Sequence, residues 1–116
     1  MTESSLKTLI ETTLTIPVYQ GTDTITYPAA TLEVTSLPAA LIGDGKVIQR
    51  QSDVVINLWY KDKTTRDTAV GSLDTALQGQ DLISVPDIDT YYDTNAKKYR
   101  AIFNFSFIPK EESNGL

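Results

Sequence analysis

The sequence predicts an α+β domain: a largely antiparallel sheet of about four strands with two helices. Three observations carry that prediction. Two stretches place apolar residues at helical spacing, several others alternate apolar and polar residues, and their order is helix, strand, long strand, helix, hairpin. A chain of 116 residues is the size of one compact core, so residues 1–116 form a single domain with a polar, disordered tail expected at 110–116.

The first helix is read over residues 4 to 14, where Leu6, Leu9, Ile10 and Leu14 recur on one face after the possible caps Thr2 and Ser4. Pro17 limits its extension. Residues 16 to 28 mix Thr, Gly21 and Asp23 with isolated apolar side chains, a pattern that suits a loop or a weak hairpin and supports no firm assignment. From Ala29 the chain alternates, with Ala30, Leu32 and Val34 on one side and Thr31, Glu33 and Thr35 on the other, which is the signature of a half-buried strand.

Pro38 and the group Gly43, Asp44, Gly45 bound a loop, and Lys46 to Lys61 reads as one long bent strand or two short ones, clearest over Val54 to Tyr60. The stronger helix signal lies between Asp62 and Gly79, where Ala69, Val70, Leu73, Ala76 and Leu77 form one stripe. Thr64 with Asp67 resembles a capping box, and Gly79 is placed to form a left-handed C-terminal cap. Gly71 inside this helix costs about 1 kcal/mol relative to Ala. Residues 80 to 87 are a connection to which Leu82, Ile83 and Val85 add a possible short strand, and Ile88 to Asp93 with Lys98 to Ile108 flank the four-residue loop of a hairpin.

One sheet face follows directly from this alternation. Tyr99, Ala101, Phe103, Phe105 and Phe107 point to the side that Val54, Ile56, Leu58 and Tyr60 match, and the second helix can lie against them. The opposite face is mixed: Val55 and Trp59 share a strand with Asn57, while Ile102 and Ile108 share theirs with Asn104 and Ser106. The first helix and a neighbouring subunit are the candidates to cover it. Trp59 is the informative residue, because its large apolar area suits an interface centre as well as it suits a loop of its own chain.

Composition narrows the function. With neither Cys nor His, the chain has no thiol nucleophile, no imidazole base and no typical structural zinc ligands, so an enzyme is not expected and no cofactor is implied. A formal charge of −5 argues against general attraction to nucleic acid phosphates, and Lys61 with Lys63, like Lys97, Lys98 and Arg100, reads as solvated turn charge. No stretch approaches the roughly 20 apolar residues of a membrane span, and Met1 to Leu14, with Glu3, Lys7 and Glu11, lacks the core of a signal peptide. Gly43-Asp44-Gly45-Lys46 lacks the first Gly and the closing Ser or Thr of a phosphate-binding loop. Asp87, Asp89 and Asp93 lack the Gly and terminal Glu of a calcium loop. Asn104-Phe105-Ser106 fits a glycosylation acceptor pattern but falls inside a strand.

The layout has a further property. The N-terminal amphipathic helix, then IPVYQG, AATLEVTS, DVVINLWYKD running into KTTRDTAVGSLDTAL, and the closing YYDTNAKKYRAIFNFSF resemble the tail terminator, or tail-to-head joining, proteins of long-tailed bacteriophages over residues 4 to 108. The resemblance is one of architecture and order. It implies a non-catalytic virion protein, assembled in the host cytoplasm, that forms a hexameric ring on the tail tube, ends tube polymerisation and meets the head connector or stopper while genomic DNA passes through the ring. Carried onto this chain, it implies subunit contacts at Val55, Trp59 and Ile102. The loops at 37 to 46 and 79 to 87 then supply the contacts with tube or connector, through Leu41, Ile42, Lys46, Asp81, Leu82 and Asp87. Another neck or connector adaptor protein, or a small ligand-binding regulatory module, is the alternative reading of the same features.

Overall fold

A computed structural model describes residues 2–20, 25–36, 51–80 and 85–107. Along these residues run helix α1 (Glu3–Leu14), strand β1 (Val18–Tyr19), β2 (Ala29–Ser36), β3 (Ser52–Tyr60), helix α2 (Lys63–Gln78), β4 (Asp87–Asp93) and β5 (Lys98–Phe107). The strands form one five-stranded sheet in the order β1-β2-β3-β5-β4. The α+β class, the two helices and the mostly antiparallel sheet agree with the sequence reading. The additional strand is β1, which pairs parallel with β2 through Val18 opposite Ala30 and Tyr19 opposite Thr31, where a loop or weak hairpin was expected. Two residues are too few to show period-2 alternation, so β1 leaves no readable signal.

Both helix starts are fixed by side-chain caps. Thr2 Oγ1 accepts from the Ser5 N–H at 3.1 Å and Ser5 Oγ accepts from the Thr2 N–H at 2.9 Å, a reciprocal box that satisfies two otherwise orphaned donors. In α2 the cap is Asp62, whose Oδ1 accepts from the Thr65 N–H at 2.8 Å; the expected Thr64–Asp67 box lies two residues too late. That bond, with a second from the Thr65 hydroxyl, holds the Asp62 carboxyl below its ordinary range. Gly79 ends α2 with φ −79°, so the left-handed cap expected there is absent; the left-handed residue is Thr15 at the end of α1, with φ 53°. Its N–H donates to the Glu11 carbonyl at 2.8 Å, closing the last turn before Pro17.

The core lies on one side of the sheet. Leu32, Ile56 and Phe103 stand in one cross-strand row, Val34, Val54 and Phe105 in the next, and Ala30, Leu58 and Ala101 in a third. Against these pack Leu73 and Leu77 of α2 and Leu6 and Ile10 of α1, in one continuous cluster. Each fully buried Leu, Ile or Phe contributes roughly 1.5 to 3 kcal/mol of burial. The first helix therefore packs beside α2 over the principal face, and no described helix covers the second face. Tyr60 closes the principal row beside Tyr99, and burial pushes its phenol up to about 12.

Two outcomes are expected. A Cβ built on Gly71 meets nothing within 4 Å, so Gly71→Ala should stabilise the protein by about 0.5 to 1 kcal/mol in urea unfolding. Because the folded protein holds the Tyr60 proton to higher pH than the unfolded chain, stability is intact below about pH 10 and falls as pH rises through 12. Urea midpoints of Tyr60→Phe should decline less than wild type over that window.

Candidate functional site

Alternation along the central strand breaks at its end: Leu58, Trp59 and Tyr60 are all buried although they point to alternate faces. Leu58 and Tyr60 are covered by the core, whereas Trp59, only 8% exposed, is on the second face. Register explains its cover. Ala29, Trp59, Arg100 and Tyr91 form one row across β2, β3, β5 and β4. The Arg100 guanidinium lies 4.8 Å from the Trp59 ring centre and 5.5 Å from that of Tyr91, and Tyr27 meets Trp59 edge-on at 6.0 Å. Lys98 Nζ sits 5.0 Å from the Tyr27 ring centre.

Polar contacts lock this row in place. Arg100 donates from Nε and Nη2 to Asn57 Oδ1, at 3.1 and 2.7 Å, and from Nη1 to Asp93 Oδ2 at 3.1 Å. The Trp59 indole N–H donates to the same Asp93 oxygen at 3.3 Å. Asp93 Oδ1 accepts from the Asn95 and Ala96 N–H groups, so one carboxylate ties the hairpin turn to the aromatic row. The Ala96 N–H does most to hold the Asp93 carboxyl below its ordinary range; burial opposes it, and Trp59, Asn95 and Arg100 add to the lowering. At the same end, the buried Arg66 of α2 donates to Asp67 at 2.8 Å, reaches the Tyr91 and Arg100 carbonyls at 3.5 and 3.4 Å, and lies 5.7 Å from the Tyr99 ring centre.

The remainder of the second face is different. Thr31, Asn57, Ile102 and Asp89 make the next row, followed by Glu33, Val55, Asn104 and Asp87, with Thr35, Asp53 and Ser106 last. Val55 and Ile102 are half-buried at its centre, while Glu33, Asp87 and Asp89 are exposed. Asp53 accepts from Ser106 at 2.7 Å and from Gln51 at 3.2 Å, and these bonds, Ser106 first, keep its carboxyl low.

The three residues assigned to subunit contact, Val55, Trp59 and Ile102, thus share one face. Trp59 is covered within its own chain, and Val55 and Ile102 retain partial exposure. Of the loop residues, Asp87 is exposed at the start of β4, and Leu41, Ile42, Lys46, Asp81 and Leu82 lie outside the described residues. Lys98 and Arg100 are half-buried and engaged with aromatic rings, not the solvated turn charges their spacing suggested. Arg66 was legible in principle, since it precedes Ala69, Leu73 and Leu77 on the buried stripe of α2. Among the described residues, no three His, Cys, Asp or Glu side chains gather as a metal-binding group; Asp93 is turned to Arg100 and Trp59 instead of to Asp87 and Asp89. No described helix is long and apolar enough to cross a membrane. No protein-family model matches the chain, and no curated protein matches it in sequence.

Asp93 sets an acid-side dependence. Its folded pKa is depressed below the unfolded value of about 4, so its stabilising contribution is present above that pH and lost as pH falls through the folded value. Asp93→Asn should be less stable than wild type at pH 7, and the gap between their urea midpoints should shrink below about pH 4.

Proposed function

We propose that this chain is a structural subunit of a long-tailed bacteriophage tail. Copies form a ring at the end of the tail tube, stop its polymerisation and join it to the head connector, without catalysis. The observation that carries this reading is the second sheet face, which no described helix covers. Its central Val55 and Ile102 have apolar surface left over after folding, beside the aromatic row of Trp59 and Tyr91. A sheet face with that composition is suited to a neighbouring subunit. The order of elements, in which the sequence resembles tail terminator proteins, supports the same reading.

In the ring, Val55, Trp59 and Ile102 belong to the contact between subunits. Asp87, with the segments 37–46 and 79–87, belongs to the contacts with tube or connector. The acidic balance of the chain suits a conduit that does not hold the DNA passing through it.

Native mass spectrometry and negative-stain imaging of the protein with tail tubes should reveal ring-sized assemblies seated on tube ends. Deletion from the phage that makes the protein should yield overlong tubes. Tails of normal length without heads would instead assign an adaptor role, and a protein that remains monomeric and ignores tubes would remove the assembly reading altogether.

A further inference from the structure

Strand β4 is an edge of the sheet, with β5 its only strand neighbour among the described residues. It pairs with β5 without a bulge, from Asp87 opposite Asn104 to Asp93 opposite Lys98, and it contains neither Pro nor Lys. About half of its backbone N–H and C=O groups therefore point outward, where no described strand meets them. At the opposite edge, β1 lies along the start of β2.

The side chains of β4 are sorted by face. Asp87, Asp89, Tyr91 and Asp93 are on the second face, and Ile88, Thr90 and Tyr92 are on the principal one, opposite Phe103, Ala101 and Tyr99. Asp93 is engaged with Arg100 and Trp59. Asp87 and Asp89 are exposed, and among the described residues neither makes an ion pair.

A strand added along this edge sets its own side chains beside these, face by face. Lys or Arg is favoured next to Asp87 and Asp89, and a β-branched or aromatic residue next to Ile88, Thr90 and Tyr92. A second copy of β4 is the wrong occupant. Turned edge to edge by a two-fold normal to the sheet, it sets Asp87 opposite Asp93 when centred on Thr90. Centred on Asp89 it sets that residue opposite its own copy, and centred on Tyr91 it sets Asp89 opposite Asp93. The same acids thus disfavour self-pairing and select a cationic strand. We propose that the outer edge of β4 binds, by strand addition, an extended segment of another protein in which Lys or Arg alternates with β-branched or aromatic residues. The tail reading assigns Asp87 to the contact with tube or connector, so on that reading the segment belongs to one of those two proteins. Only this attribution rests on it.

The probe is a capped octapeptide of alternating Lys and Val, titrated into the whole chain and followed by its amide spectra and hydrogen exchange. The peptide should bind more weakly as salt rises, and the newly protected amides should lie in β4. A peptide of the same composition with its Lys and Val in two blocks, which keeps the charge and loses the alternation, should bind about tenfold or more weakly. So should one with Glu in place of Lys. Asp87→Lys/Asp89→Lys should reverse the preference, and its gain of the Glu peptide shows that the variant is folded. Absence of binding at millimolar peptide, equal binding of the block peptide, protection away from β4, or a variant that keeps its hold on the Lys peptide would overturn the proposal. Tube capping is scored without peptide. Capping by a chain that binds no peptide removes the edge contact and keeps the ring; peptide binding by a chain that ignores tubes keeps the edge contact and removes the ring.

Discussion

The structure depends on a one-sided constraint: the central strands β3 and β5 are apolar at every second residue, and two short helices are the only described elements available to cover them. A strand turns successive side chains to opposite faces, so Val54, Ile56 and Leu58 cannot be buried by helices without Val55 and Asn57 facing away. Both helices then go to the same side, because the large side chains of β5, Phe103, Phe105 and Phe107, are all there. Splitting the helices between the faces would leave part of that phenylalanine row in water, with roughly 1.5 to 3 kcal/mol lost for each ring exposed.

The second face is the remainder of that arrangement, and its two ends meet the problem differently. At the hairpin end the protein covers Trp59 with its own Arg100 and Tyr27, and a single carboxylate, Asp93, accepts hydrogen bonds from the turn, the indole and the guanidinium. Arg100 donates three hydrogen bonds, two to Asn57 and one to Asp93, while its planar faces lie near two rings, a combination a lysine ammonium cannot provide. Toward the other end the row gives way to acids and half-buried aliphatic side chains, Val55 and Ile102. One sheet face thus combines an internally packed aromatic row at one end with partly exposed apolar side chains beyond it.

This division also shows what kinds of pattern can be read in a linear chain. The alternation from Ala29, that over Val54 to Tyr60 and that over Lys98 to Ile108, with the stripe through Ala69, Leu73 and Leu77, located β2, the core of β3, β5 and α2, since each signal is local and repeats several times. The caps were less legible. Asp62 and Thr64 are both able caps two residues apart, and which one takes the extended conformation depends on where β3 releases the chain. Strand β1 was unreadable because two residues have no period, and its pairing with β2 is long-range.

For the candidate site, Val55, Trp59 and Ile102 were visible in sequence as apolar residues on the wrong side of their strands, and their common face follows from alternation alone. Alternation and composition are properties of neighbouring residues, so the amino-acid order was sufficient to determine the α+β class, the hairpin, the principal face and the mixed character of the other. Register and helix placement are not local. Only the tertiary structure decided that Ala29, Trp59, Arg100 and Tyr91 stand in one row and that α1 joins α2 over the principal face. Those facts depend on which strand lies beside which and by how many residues it is shifted, and residues 43 positions apart meet there, as Asn57 and Arg100 do.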